Sequence, residues 1–370
     1  MSGLTRVSPG QSSILKAPLR VVSIGGGTGL STLLGGLKHY ARGGQTSRTP
    51  GRPIVDITAV VTVTDDGGSS GRLRREFDIP PPGDIRNCMT ALSEDEHLLS
   101  HLFEYRFASG RGLKGHSFGN LFLAAMNEIT GDFAEAVKLS SEILAIRGRI
   151  FPATRSNVTL EAELLDGTVV RGETNISKSR SAIRRIMLVP ENCEPMAETI
   201  DAIMNADLIT LGPGSLYTSI VPNLLVKGLP EAIEKSSAMK VYFVNLMWQP
   251  GETINFSASA HLLALQDHAQ RRLIDTVVVN SATIAPGLKR KYAREKAKPV
   301  ENDLESINKL GVRVVTADLV FDSAKMQSKI RHDPAALASV VVDLASRSRA
   351  YQVRKAALSE QHSKARPKTK

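Results

Sequence analysis

An aspartate pair followed at once by glycines, hydroxyls and an arginine, Asp65-Asp66-Gly67-Gly68-Ser69-Ser70-Gly71-Arg72, holds the side chains best suited to chemistry in this 370-residue chain. Mg²⁺ prefers carboxylates together with phosphate oxygens of a ligand, so Asp65 and Asp66 are candidate metal ligands and candidate catalytic groups. One of them can equally accept a ribose hydroxyl, as acidic residues at the end of a second strand do. A solvated turn capped by an aspartate is the plainer alternative. Ser69 and Arg72 beside the pair favour ligand contact. Arg72, Arg74 and Arg75 could clamp phosphate, although at least one of three such neighbours should be a solvated helix charge.

Three further loops have a similar build. Gly25-Gly26-Gly27-Thr28-Gly29 follows an apolar run and enters a helix. It misses the dinucleotide fingerprint, because Leu30 stands where a third glycine or alanine belongs, and no Gly-Lys-Ser/Thr follows to make a P-loop. Free amides of Gly26, Gly27 and Thr28 at a helix N-terminus still suit phosphate. Gly212-Pro213-Gly214-Ser215-Leu216-Tyr217 offers amides and a hydroxyl to an anion, with Tyr217 placed to stack on a base. Asn245 to Thr253, with Asn245 and Gln249, is suited to reading a base or sugar. Arg86 and Asn87, after the proline-stiffened Pro80-Pro81-Pro82-Gly83-Asp84, add charge and an amide, and Asp84 reads as a helix N-cap. In Gly115-His116-Ser117-Phe118-Gly119-Asn120, His116 is either a general acid or base or a helix-end donor, with Asn120 beside it.

Such groups need a rigid frame. Leu19 to Ile24, Ile57 to Val63, Ala206 to Leu211, Lys240 to Asn245, Asp275 to Val279 and Val312 to Val315 are short apolar runs. Continuous runs of this kind belong to strands covered by helices on both faces. The expected fold is α/β, a Rossmann-like, mostly parallel sheet. Between 156 and 190 the period changes to two, and Asp166-Gly167 marks a hairpin, so a small β insert is expected there. Asp132 with Glu135 forms a capping box for a helix. The division expected is a flexible tail over 1–18, one α/β domain over 19–325, and a helix from Pro334 to Ala345 followed by a disordered basic end.

Bulk properties narrow the class. The net charge of +10 is uneven: segments 1–20, 42–52, 289–298 and 347–370 together carry +18, leaving −8 for the rest. Basic charge confined to tails and loops reads as solvated ends, and no nucleic-acid partner is expected. Cys88 and Cys193 are too few for a disulfide framework or a four-ligand zinc site, and Cys88 lies on an apolar helix face. The polar start lacks a secretory core, and no apolar stretch approaches a membrane span, so a cytoplasmic protein without membrane insertion is expected. Neither a G-x-S-x-G elbow nor an H-E-x-x-H pair is present.

Taken in order, Gly25 to Leu30, Val61 to Arg72, Pro80 to Asn87, Gly115 to Leu121, Leu211 to Pro222 and Asn245 to Thr253 resemble the bacterial gluconeogenesis factor family. That family shares its fold with the phospholactate transferase of deazaflavin coenzyme biosynthesis. The resemblance spans residues 19 to 320. It implies a cytoplasmic UDP-sugar-binding protein needed for cell shape and peptidoglycan synthesis on gluconeogenic carbon. By the same resemblance Asp65 and Asp66 serve metal and phosphate chemistry, with Mg²⁺ the implied ion and no tightly bound organic cofactor. His116 to Asn120 would lie near an acceptor. A Mg²⁺-dependent transferase moving a phosphate-linked group from a nucleotide donor is the alternative. A protein partner in wall synthesis and assembly with further copies of the chain are open expectations. Trp248 departs from the family, which usually has a small hydroxyl residue there; an indole could narrow the pocket or stack on a ligand.

Overall fold

The computed structural model describes residues 17–46, 51–94, 98–179, 181–321 and 329–365. Most of the expected 1–18 tail, the tip of the 41–53 loop and the last five residues lie outside these. The apolar runs become β1 (Leu19–Gly25), β2 (Val55–Val61), β7 (Leu208–Leu211), β8 (Met239–Phe243), β9 (Thr276–Asn280) and β10 (Arg313–Ala317). With β3 (Arg149–Pro152) they form one seven-stranded sheet in the order β10-β9-β8-β7-β1-β2-β3, every pair parallel. The chain winds outward from β1 to β3, then returns to β7 beside β1 and winds the other way. The switch point therefore falls between β1 and β7. The connections leaving those two strands set off in opposite directions, and in open α/β sheets ligands bind at such strand carboxyl ends.

Burial follows the pattern of the runs. Ile24, Val60, Leu211, Phe243 and Val278 are fully buried. Each such side chain contributes about 1.5–3 kcal/mol against exposure. Helix Gly27–Leu37 turns Leu30, Leu33, Leu34 and Leu37 onto this core. The insert is a separate antiparallel sheet of β4 (Thr159–Leu164), β5 (Val169–Arg171) and β6 (Ile183–Val189), in the order β5-β4-β6. Strict alternation of burial along β4 matches its polar-apolar sequence. The N-cap half of the capping box is present, with the Glu135 amide donating to Asp132 Oδ1 at 2.8 Å, while the Asp132 amide turns to Thr130 Oγ1 at 3.4 Å.

Three elements differ from the sequence expectation. The chain enters helix Gly83–Leu92 two residues early, because Pro82, its N-cap, already has helical angles (φ −80°, ψ −10°). Asp84 is therefore not the N-cap but a first-turn residue. Edge strand β3 was not expected, since Arg149 and Pro152 leave only two apolar residues between them. The terminal helix does not stop at Ala345: it runs from Pro334 to Ala365. Its extension is anchored by polar contacts that an apolar-periodicity reading misses. Ser348 Oγ accepts the Met239 amide at 3.2 Å, Gln352 Nε2 donates to the Ser237 carbonyl at 2.9 Å, and Arg349 is buried. Among the described residues no helix is long and apolar enough to cross a membrane.

Candidate functional site

The glycine loop after β1 and the loop after β7 touch each other at the switch point. A Cβ on Gly29 would stand 2.3 Å from the Pro213 carbonyl oxygen and 2.8 Å from the Gly214 amide, so only glycine lets the two backbones meet. Gly26 is equally confined: a Cβ would fall 2.4 Å from Thr62 Cγ2 and 2.7 Å from an Asp84 carboxylate oxygen. Asp84, which accepts the Gly27 amide, thus faces the first loop from the start of its helix. Thr28 is exposed at the rim, and its carbonyl accepts Ser31 Oγ at 3.1 Å and Thr32 Oγ1 at 2.7 Å. Introducing valine at Gly29 should push the loops apart. We expect ligand affinity to fall at least about tenfold, with the circular dichroism spectrum unchanged; unchanged affinity would show that the loop contact is dispensable.

The fourth loop joins the same edge. Gln249 Nε2 donates to Ser215 Oγ at 2.6 Å, and Asn245 Nδ2 donates to Gln249 Oε1 at 2.9 Å. The three expected polar readers are therefore one connected chain. Gly212 has φ +75°, the left-handed turn that re-aims the chain towards Gly214. Tyr217 does not stack outward. Its ring is buried edge-on against Phe256 (centroids 6.1 Å apart) and His268 (5.5 Å), and burial pushes its hydroxyl up to about 12. Only its backbone faces the site, the amide donating to Glu252 Oε2 at 3.2 Å. Trp248 is likewise spent on packing: its Nε1 donates to the Phe256 carbonyl at 2.9 Å, and Lys298 Nζ lies 5.7 Å from its ring centroid.

The aspartate pair is held open by different neighbours. Asp65 Oδ1 accepts the Gly67 amide at 2.8 Å. Asp66 Oδ1 accepts both the amide (2.9 Å) and the hydroxyl (2.6 Å) of Thr174, from the short helix Glu173–Ile176 of the insert. The insert thus reaches over the cleft and adds Glu173. Burial, then the charges of Asp65, Asp84, Glu252 and Asp66, push the Glu173 carboxyl up to about 9. Burial, then Asp65, raises Asp84 to about 6 despite the Gly27 amide. Burial raises Glu252 to about 7 against the bonds from Tyr217 and Thr218. Five carboxyl groups therefore share one acidic half of the crevice. Glu173, Thr174 and Glu252 were missed as site residues, and Asp84 was read only as a cap. Only the position of Glu252 inside a named loop could have flagged it.

On the other side, Ser69 Oγ and His116 Nδ1 lie 3.0 Å apart, both buried. Burial, then the Arg72 charge, lowers the His116 pKa, so the imidazole is neutral near pH 7. Helix Phe118–Thr130 begins after His116, with Ser117 as N-cap. The three arginines of the first motif separate. Arg72 binds the Lys114 carbonyl with both terminal nitrogens at 3.0 Å, fastening the His116 loop. Arg74 is buried and holds the insert through the Val158 carbonyl (2.6 Å) and Thr159 Oγ1 (2.8 Å). Arg75 is exposed. None of the three is committed to a phosphate clamp. Arg86 Nη2 donates to Asn87 Oδ1 at 2.5 Å, and Asn120 Nδ2 to Ser70 Oγ at 3.3 Å. Cys88 and Cys193 are buried free thiols, as core positions should be.

A parallel, doubly wound α/β sheet with glycine loops at its switch point and an acidic pair after the neighbouring β2 belongs to the class whose ligands bind at the strand carboxyl ends. Residues 21–320 match the family described as 2-phospho-L-lactate transferase CofD, and the chain belongs to that family. It is 50% identical over 325 residues to the gluconeogenesis factor of Bacillus subtilis (strain 168), covering 88% of this chain and 98% of that protein. It is 47% identical over 323 residues to the gluconeogenesis factor of Halalkalibacterium halodurans, covering 87% of this chain and 95% of the other. A crystal structure of a Bacillus halodurans protein superposes with a TM-score of 0.81 at 47% identity, covering 88% of this chain and all of that one.

Proposed function

We propose that this chain is a cytoplasmic nucleotide-sugar-binding regulator, which takes a UDP-sugar and links carbon supply to peptidoglycan synthesis and cell shape. One observation carries it: the loops after β1 and β7 meet at the switch point and face a cluster of carboxyl groups. Amides at 26–28 and 214–215 would cradle the diphosphate, and Asn245 with Gln249 would read the base or sugar.

The charge of the cleft defines what else is needed. A diphosphate set beside Asp65, Asp66 and Asp84 would be repelled unless a divalent cation lay between, whereas Glu173, pushed up to about 9, stays protonated at neutral pH. Among the described residues no three His, Cys, Asp or Glu side chains form a ready-made metal group. Mg²⁺ needs only one or two carboxylates from the protein and completes its shell with phosphate oxygens and water. Asp65 Oδ2 and Asp66 Oδ2 are the oxygens left over from the bonds to Gly67 and Thr174. When bound, the ion would neutralise phosphate charge.

Calorimetric titration with UDP-N-acetylglucosamine should show affinity that rises at least about tenfold with Mg²⁺, and Asp65→Asn should remove most of that gain. Equal affinity with and without the ion would overturn the metal's part; no binding at all would overturn the ligand. The Ser69–His116 contact favours a second function, a metal-dependent transferase, since a neutral imidazole against a hydroxyl is a general-base arrangement. Turnover of the UDP-sugar with nucleotide release would establish it over the regulator.

A further inference from the structure

Positive features gather beside the carboxyl cluster, and among the described residues neither Arg86 nor Arg106 is bonded to a carboxylate. The Arg86 side chain, from helix Gly83–Leu92, lies along the first turn of helix Phe118–Thr130. A Cβ on Gly119 would stand 2.8 Å from Arg86 Cγ and 2.9 Å from its Cδ. A helix N-terminus carries about half a positive charge, so a guanidinium there meets repulsion. Arg106 adds a second cation: after burial itself, its charge is the foremost cause lowering the Arg86 pKa. Arg106 is held in place by the Gly115 carbonyl, to which its Nη1 donates at 2.6 Å. The charges of Glu104, Asp84 and Asp65 attract Arg86, but its hydrogen bond goes to neutral Asn87.

Two polar atoms there are buried and unsatisfied. Among the described residues Arg86 Nε has no partner, and neither has Asn120 Oδ1, although Asn120 is only 2% exposed. Turning the Asn120 amide over would leave its nitrogen unpaired instead, so one atom stays open in either orientation. A buried unpaired polar atom costs about 1–3 kcal/mol, more for a charged group, and native proteins keep few of them. With the Asn120 amide turned so that Oδ1 accepts from Ser70 Oγ and Nδ2 is the open donor, that N–H, the orphaned guanidinium N–H of Arg86, a second guanidinium and a helix N-terminus are all relieved by one species, an oxyanion.

We propose that Arg86, Arg106 and Asn120 form an anion subsite, distinct from the loops at 26–28 and 214–215, that receives the carboxylate or phosphate of a second ligand. The crevice is then bipolar: its acidic half takes the metal and nucleotide, its cationic half the acid group of a co-ligand. The co-ligand's pairing with a nucleotide rests on the function proposed above, whereas the subsite stands on its own residues.

The full chain is titrated calorimetrically with inorganic phosphate and, separately, with malonate, so that phosphate and carboxylate sources are compared. Millimolar or tighter binding of at least one is expected, unaffected by saturating UDP-N-acetylglucosamine with Mg²⁺. Arg106→Gln, an exposed change that leaves the fold intact, should weaken it about tenfold. Asn120→Asp, which sets a like charge against the anion, should abolish it, and exposed Arg75→Gln should leave it unchanged. Absence of binding by both probes overturns the subsite. So does displacement by the UDP-sugar, or equal loss in the Arg75 and Arg106 variants. Failure of the UDP-sugar to bind while phosphate still does would sink the nucleotide-sugar function and leave the subsite standing.

Discussion

Replacing Arg349 with methionine is expected to destabilise the protein by about 3–5 kcal/mol, the cost of stranding one partner of a buried ion pair. Arg349 and Asp207 have side chains only 5% and 2% exposed. Arg349 Nε donates to Asp207 Oδ1 at 3.0 Å, and Nη2 donates to both Asp207 Oδ2 and the Pro18 carbonyl. Asp207 also accepts the Arg20 amide at 2.7 Å. The terminal helix is thereby bolted to the start of β1 and to the residue entering β7, the two strands that flank the switch point. Arg349→Met leaves the Asp207 carboxylate buried with one backbone donor and a distant Arg20 guanidinium at 3.8 Å. Arg349→Met with Asp207→Leu should recover part of the loss, because no charge is then stranded. Exposed Arg354→Ala should stay within about 0.5 kcal/mol. Urea denaturation of the four proteins decides it: a loss for Arg349→Met no larger than for Arg354→Ala would show that the pair contributes nothing.

That pair also marks where sequence pattern stops being informative. Charge counting put Arg349 in a basic end, because eight cations against one acid over 347–370 resemble a solvated tail. Nothing in the local pattern says that one of them meets an aspartate 142 positions earlier. Strands such as β7 and β9 were legible for the opposite reason, since a sheet covered on both faces demands unbroken apolar runs. The phosphate-type loops were legible because close backbone approach, as at Gly29, admits only glycine. Tyr217 misled: an aromatic next to a glycine loop reads as a stacking surface, yet the π-helical turn Leu216–Ile220 carries the ring into the core. Glu173 was invisible because its significance is created by the insert folding over a strand end more than 100 residues away.

Stability of the metal-free protein should fall as pH rises from about 5 to about 9, against the usual trend for paired carboxylates. The sign follows from the proton balance. Glu173, Glu252 and Asp84 are pushed up to about 9, 7 and 6 from the ordinary 4.5, 4.5 and 3.8. Between its unfolded and folded values each group binds more protons folded than unfolded, so its stabilisation is complete below the unfolded value and is lost as pH climbs through the folded one. All three contribute to the decline from about pH 5; Asp84 and Glu252 stop contributing near neutrality, and Glu173 alone carries it to alkaline pH. Glu173→Gln removes the last carboxyl to ionise and should raise the melting temperature at about pH 8.5 by several degrees, with little effect near pH 5. Mg²⁺ should restore the wild-type protein most at high pH, where the cluster carries its full charge, and should do less for the variant. Melting curves in chelator and in Mg²⁺ at three pH values test all of this. A wild-type melting temperature that climbs with pH, or a glutamine variant that follows the wild type at every pH, would mean that the five carboxyl groups do not act on one another across the cleft.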